Sequence, residues 1–307
     1  MLLRTQPDIH AINRLAERAA VPPFCPEKNM RVLIILLLFQ LGLGTANAQT
    51  LLQVAQRDPD ALPDVQVSRG SKDIASAWLI DPTTRYTHFV RGQNYEAGGL
   101  RVHLSTGQVL TLRLEKQFVF EDRTARLADL DGDGRDEIIV VLTSAQKGAA
   151  LAAYGVEEGK LVLKARTPFI GLSFRWLNPA GIADFNGDGQ LDVALVQKPH
   201  LSKVLEFWTL ENGEFIRIAR VDNVSNHHNG SPFTQLSAVA DFDKNGLSDL
   251  ATLSANYSNL RIFGFLNGRL KEISSTSLPA EGIGNFEIKE TTLIIPLANG
   301  EKFELNF

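Results

Sequence analysis

Cysteine is almost missing from this chain of 307 residues: Cys25 is the only one. Whatever folds beyond that point does so without disulfide staples, so its apolar core must be large enough to hold it alone. Lys/Arg-rich runs are lacking too, and 31 basic residues against 35 acidic ones give a formal net charge of −4. That balance argues against a nucleic-acid partner. After residue 50 no segment sustains a helical hydrophobic period for three turns, which excludes a helical bundle. Familiar catalytic signatures are missing as well. There is no Gly-x-Ser-x-Gly elbow, no His-Glu-x-x-His, no phosphate-binding glycine loop and no cysteine nucleophile.

What is present begins with an export pattern. Met30 and Arg31 precede the apolar run 32–43, and Ala46-Asn47-Ala48 follows with small residues at the cleavage spacing. The run is too short for a bilayer crossing, which needs ~20 residues, although an uncleaved anchor is the alternative. We expect 1–48 to be an N-terminal extension plus a cleaved signal with its core at 30–48. Residues 49–307 would then be one domain of an exported, periplasmic or secreted protein, with no membrane span in the mature chain and no cysteine to carry a lipid anchor.

The mature part consists of short apolar runs rich in β-branched and aromatic residues, such as Ile138-Ile-Val-Val-Leu142, Val193-Ala-Leu-Val196 and Val204-Leu-Glu-Phe-Trp208. Turn residues separate them, which predicts an all-β protein. Turns of the hairpin type recur at Gly107, Gly159, Asn212-Gly213, Asn267-Gly268 and Asn299-Gly300. Between them an acidic loop recurs three times: Asp129-Leu-Asp131-Gly-Asp133-Gly134-Arg135-Asp136-Glu137, Asp184-Phe-Asn186-Gly-Asp188-Gly189-Gln190-Leu-Asp192 and Asp241-Phe-Asp243-Lys-Asn245-Gly246-Leu247-Ser-Asp249. The loops start at 129, 184 and 241, a period that marks a repeat architecture.

Each repeat reads as strand, acidic loop, strand, connection, strand, tight turn, strand: a four-stranded antiparallel sheet of propeller-blade size. Five tight turns predict five blades, the outer two having lost the acidic loop. In the first, Asp81 would open a degenerate loop with Arg85 in place of a ligand. In the last, Phe286 to Ile294 would be a plain strand, turn and strand. The short run Leu51 to Arg57 resembles the fourth strand of the other repeats, so it is expected to complete the last blade and close the ring, removing its edges. An open solenoid of the same units is the alternative.

Oxygen side chains at loop positions 1, 3 and 5, a glycine at 6 for the sharp turn and a carboxylate at 9 suit a hard cation such as Ca²⁺. The EF-hand alternative fails at position 12, where Val140, Leu195 and Thr252 offer no carboxylate. On these residues the chain resembles the FG-GAP or VCBS repeat, the calcium-binding blade of integrin α-subunit propellers and of many bacterial exported proteins. The resemblance implies side-chain ligands Asp129, Asp131, Asp133 and Glu137; Asp184, Asn186, Asp188 and Asp192; Asp241, Asp243, Asn245 and Asp249. It also implies backbone ligands at Arg135, Gln190 and Leu247. Asp136 is a possible substitute for Glu137. Up to three structural Ca²⁺ ions are expected, the first loop binding tightest because all four of its side-chain ligands are carboxylates.

Members of that family meet partners on the face opposite the metal loops, which here implies the connections 91–99, 168–179, 197–202, 222–233 and 254–259. Phe174, Arg175 and Trp176, the pair His227-His228, and Tyr257 are the candidate contact residues, with Tyr95 a further member. Packing between blades is the plainer role for Phe174 and Trp176. Adjacent histidines on an Asn-rich loop read as solvated unless further ligands converge. The leading expectation is a binding module for an unknown protein or glycan, without catalysis. A polysaccharide-active lyase or hydrolase on the same scaffold, or a structural subunit of an envelope assembly, are the alternatives.

Overall fold

The middle strands here are buried on both sides, which is why their sequences read as unbroken apolar runs and not as alternation. The computed structural model describes residues 51–307; the candidate leader, signal and cleavage site lie outside the described residues. β1 (Ser68–Arg69), β2 (Ile74–Thr83), β3 (Glu96–Leu104) and β4 (Val109–Arg113) form a first group. The short β5 (Phe118–Phe120) ties it to β6 (Arg126–Ala128), β7 (Glu137–Ser144), β8 (Gly148–Glu157) and β9 (Lys160–Arg166), completing a nine-stranded sheet. β10 (Leu177–Ala183), β11 (Asp192–Gln197), β12 (Val204–Glu211) and β13 (Glu214–Val221) make a four-stranded sheet. Next comes a five-stranded sheet of β14 (Val224–Ser225), β15 (Ser237–Ala240), β16 (Asp249–Ser254), β17 (Asn259–Leu266) and β18 (Arg269–Ser277). The last sheet has three strands, β19 (Glu287–Lys289), β20 (Thr292–Pro296) and β21 (Lys302–Asn306). All pairings are antiparallel. The protein is therefore all-β in antiparallel sheets, as its run lengths predict.

The hairpin turns fall where the sequence places them. Glu158-Gly159, Asn212-Gly213 and Asn267-Gly268 each put both central residues at positive φ, the turn whose twist matches the flanking strands. Just behind these turns the same bulge recurs, at Ala153/Tyr154, Phe207/Trp208 and Ile262/Phe263. A bulge in one place in three groups bends each outer strand alike and supports the repeat reading.

Packing runs from group to group. Ile138, Val140 and Ala152 face Leu79, Leu100 and Phe120, while the opposite sides of β7 and β8, at Ile139, Val141 and Leu151, face Leu177, Val193 and Leu195. Ala194, Leu205 and Phe207 meet Leu250, Phe263 and Phe265, and Leu253 and Ile262 meet Leu293 and Ile295. Each interior sheet is thus the filling between two others, as in stacked repeats. The loop 84–95 crosses one end of this stack. Val90 packs beside Trp176 and Leu177, and its carbonyl accepts the Gly230 amide at 2.8 Å. The first group and the approach to β15 are thereby tied together.

Three expectations are corrected. Residues 51–57 are helical and are not a closing strand; the helix lays fully buried Ala55 against Trp78 and Ile80 on the free side of the first group. Among the described residues no strand joins β19–β21 to the other end. The reason is visible in the last sheet: Leu293, Ile295, Phe303 and Leu305 face the core, while the reverse side carries Glu287, Lys289, Thr292, Lys302, Glu304 and Asn306 around Ile294. That polar outer face suits a terminal repeat. Second, Asp81 does not open a degenerate acidic loop. It lies inside β2, and the link between the first group's inner strands is the short turn 70–73. Third, the connection expected at 91–99 ends earlier, because β3 starts at Glu96.

Candidate metal loops and an aromatic cavity at opposite ends

The three acidic loops join β6 to β7, β10 to β11 and β15 to β16, so antiparallel pairing sets them at one end of their sheets together with the hairpin turns. Their internal hydrogen bonding is the same. The first aspartate accepts the amide of the glycine at position 6: Gly134 to Asp129 at 3.0 Å, Gly189 to Asp184 and Gly246 to Asp241 at 2.9 Å. The third residue accepts the fifth amide, Asp133 to Asp131 at 3.1 Å, Asp188 to Asn186 at 2.9 Å and Asn245 to Asp243 at 3.1 Å. The fifth accepts the seventh amide, so Arg135, Gln190 and Leu247 donate to Asp133, Asp188 and Asn245 at 2.8–2.9 Å. Finally the ninth-position carboxylate, the first residue of the following strand, accepts the second amide: Leu130 to Glu137 at 2.8 Å, Phe185 to Asp192 at 3.3 Å and Phe242 to Asp249 at 2.9 Å.

Each bond uses one oxygen of a side chain that has two polar atoms. Asp129 Oδ1, Asp192 Oδ1 and Asp249 Oδ1 remain buried with no hydrogen-bond partner. A buried oxygen of that kind costs free energy unless something supplies positive charge. Asp129, Asp131 and Glu137 bring carboxylate oxygens within 4.8 Å of one another, as do Asp241, Asp243 and Asp249. These two clusters could hold a metal ion, and their all-oxygen donor set suits a hard cation. The second loop has Asn186 in place of a carboxylate, and that amide donates to Asp188 Oδ2 at 2.9 Å.

The electrostatics agree. Burial, with neighbouring carboxylates adding to it, pushes Glu137 up to about 7, and Asp192 and Asp249 to about 6 each. The first loop also has two cations nearby. Arg135 clamps Asp133 at 2.6 Å, a hydrogen bond that lowers its pKa, and Lys72 Nζ lies 3.6 Å from Asp129 Oδ2. Its extra carboxylate is therefore partly offset.

Asp136 has a different job from the ligand role considered for it. Its Oδ2 accepts the amides of Ser71 and Lys72 at 3.2 and 3.0 Å, and its own amide donates to Asp73 at 2.8 Å. It pins the turn 70–73 of the first group onto the second, and it is buried. Asp136→Ala is expected to cost about 1–3 kcal/mol by removing two hydrogen bonds from backbone amides to a buried carboxylate, with calcium binding little changed. Glu137→Ala is expected to weaken calcium binding at the first loop. Urea melts alongside calcium titrations of the two variants would separate these roles, and a large loss of calcium affinity in Asp136→Ala would overturn the assignment.

The opposite end holds the other candidate residues. Trp176 is buried: its Nε1 donates to the Glu121 carbonyl at 2.8 Å and its ring lies parallel to His200. Phe174 does not share that burial and is 44% exposed. Tyr86 stacks on it at 5.1 Å, and its hydroxyl oxygen accepts the Phe174 amide at 2.7 Å. His227 is fully buried, contrary to the solvated reading, because His200 and the Ser231 carbonyl engage both its ring nitrogens at 2.8 and 3.0 Å. Burial pushes it down to about 3 and His200 to about 4, so both are neutral at neutral pH. His228 is half-buried, bonded to the Gly282 carbonyl at 2.7 Å and stacked on Tyr257 at 3.7 Å.

The result is a cavity of about 220 Å³ at this end, lined by Phe174, Arg175, Trp176, Lys198, His200 and Asn229, with His88 at its edge. Neither Tyr95 nor Tyr257 reaches it; Tyr95 donates to Asp64 at 2.6 Å. His88, His200 and Lys198 escape a motif search because they come from two connections, 84–95 and 198–203, that are far apart in the chain. Their only sequence signal is position on the loops facing away from the acidic ones.

Among solved structures the chain is similar to BamB from Moraxella catarrhalis, at 10% identity and a TM-score of 0.44 over 79% of this chain and 61% of that one. It is similar to the exotype rhamnogalacturonan lyase YesX, at 14% identity and a TM-score of 0.40 over 78% of this chain and 56% of that one. A third is the WD40 domain of coronin from Toxoplasma gondii, at 13% identity and a TM-score of 0.36 over 67% and 52%. The chain spans less than two thirds of each of these three. No curated protein sequence matches it. Residues 129–195, from the first acidic loop to the middle of β11, match the family model described as an FG-GAP-like repeat. That stretch, which holds the first two acidic loops, is similar to an FG-GAP-like repeat.

Proposed function

We propose that this protein is an exported, calcium-stabilised propeller-type module of five blades that binds a protein or glycan partner at the end away from its metal loops. The observation that carries the metal part is the common bonding of the three loops, which uses up one oxygen of each end ligand and leaves Asp129, Asp192 and Asp249 with a buried, unpartnered one. Bound Ca²⁺ would be held by positions 1, 3, 5 and 9 of each loop and by the carbonyls of Arg135, Gln190 and Leu247. It would supply positive charge to carboxylates that otherwise repel. No step of chemistry is asked of it.

Support for binding at the far end comes from exposure. Leu172 and Leu201, on the connections 167–176 and 198–203, are the most exposed large apolar residues of the described chain at 62% and 60%, and Phe174 and Phe233 are exposed beside them. Apolar side chains gathered on one end mark an interaction surface. The export pattern around 32–48 supports placement outside the cytoplasm. Calorimetric titration of chelator-treated protein with Ca²⁺ is expected to give three sites, falling to two in Asp192→Asn; an absence of binding heat together with an unchanged intrinsic fluorescence would sink the metal reading.

A further inference from the structure

The cavity at the far end runs against the charge of the chain. Acidic residues outnumber basic ones overall, yet the lining holds Arg175 and Lys198 and no carboxylate. Neither cation takes part in an ion pair among the described residues. Arg175 Nη1 donates to the Phe174 carbonyl at 2.7 Å, which anchors one arm of the guanidinium and leaves the rest available. The buried carboxylate of Glu121 stands behind His88, whose Nδ1 it meets at 2.6 Å, and its other oxygen takes the Thr143 hydroxyl at 2.9 Å. It is therefore already engaged and does not line the cavity.

The walls are held in place at a cost. Phe174 and Lys198 both line the cavity in the left-handed region, at φ 54° and 49°. Each such non-glycine residue carries on the order of 1–3 kcal/mol of strain, which persists where surroundings enforce it and clusters at binding sites. Here the enforcement is the Tyr86 hydroxyl on the Phe174 amide and, at Lys198, the Trp176 carbonyl, which accepts its amide at 2.9 Å. The cations and the exposed ring are thereby preorganised.

Building on the binding reading above, we propose that this cavity receives the carboxylate of an acidic side chain on a protein partner, between Arg175 and Lys198, while apolar neighbours of that side chain rest on Leu172, Phe174 and Leu201. Two unpaired cations supply the charge complementarity for an anion, and guanidinium and ammonium together are good carboxylate donors. The aliphatic rim points to a peptide: sugars stack on aromatic faces, whereas leucine side chains match leucine, valine or phenylalanine.

The test is a displayed library of 12-residue peptides panned against the calcium-loaded protein, followed by fluorescence titration of the enriched sequences made synthetically. The enriched peptides are expected to share an Asp or Glu beside Leu, Val or Phe. Their affinity is expected to fall at least about tenfold in Arg175→Glu/Lys198→Glu, the loss of charge-assisted bonds, and to fall with added salt. These side chains make no ion pair, so melting temperatures should stay level and loss of binding cannot be put down to unfolding. Peptides lacking an acidic residue, or affinity untouched by charge reversal, would overturn the carboxylate assignment. If such peptides still lost binding in Leu172→Asp/Leu201→Asp, the binding end would stand without it. A galacturonate trisaccharide that binds where no peptide does would overturn the peptide partner in favour of a glycan, and failure of every probe would remove both readings.

Discussion

Calcium added to chelator-treated protein is expected to raise its melting temperature by on the order of 10 °C or more. A ligand that binds the folded state alone stabilises it by about 2.7 kcal/mol at a free concentration one hundred times its Kd. Three loops on separate sheets have no shared ligands, so their contributions should add to within a few tenths of a kcal/mol. For a chain of this size one kcal/mol moves the midpoint by about 2–4 °C, so the summed effect of about 8 kcal/mol clears 10 °C even at the lower slope. The physical source is local: loop ligands end at Glu137, Asp192 and Asp249, the first residues of β7, β11 and β16, and those strands lie in the middle of their groups. Anything that fixes the ligand fixes the strand. Magnesium, smaller and reluctant to shed water, is expected to give a much smaller shift at equal concentration. Scanning calorimetry with calcium, with magnesium and with chelator checks this, and coincident melts in all three would contradict it.

How far the sequence reveals this molecule depends on the range of the forces involved. Strands and hairpins are legible because period, branching and Asn-Gly turns act over a few residues; Asn212-Gly213 and Asn267-Gly268 fold as the sequence indicates. The acidic loops are legible for the same reason, since every bond in them spans seven residues or fewer. The fate of Leu51 to Arg57 is not legible. The segment has the composition of a strand and becomes a helix because the exposed side of Trp78 and Ile80 needs a cover, a demand set by β2 and unseen locally. The partners of Asp136 are not legible for a similar reason: they are Ser71 and Lys72, more than sixty positions earlier. The far-end cavity is assembled from loops of different groups, so residues such as His88 and Lys198 become neighbours only once the sheets have stacked.

Without metal, the protein is expected to be more stable at pH 5 than at pH 8, the reverse of the usual behaviour of paired carboxylates. Glu137 rises from an ordinary 4.5 to about 7 on folding, and Asp192 and Asp249 from 3.8 to about 6. Burial is the main cause in all three, with the other carboxylates of each loop adding to it. A carboxyl whose pKa is raised by folding binds its proton more tightly in the folded state, so its favourable contribution is complete below about pH 4 and is lost as pH climbs through 6 to 7. Each such rise is worth on the order of 3 kcal/mol, so the three together make a large pH effect. Calcium should reverse the trend. It competes with protons for the same oxygens, so its stabilisation grows as pH rises and its apparent affinity weakens below pH 6. Urea unfolding at pH 5, 6.5 and 8, with calcium and with chelator, provides the measurement. The two sets of curves are expected to converge at low pH and to separate at high pH. Stability in chelator that holds or rises from pH 5 to 8 would mean that the loop carboxylates are not the strained, proton-hungry cluster their geometry describes.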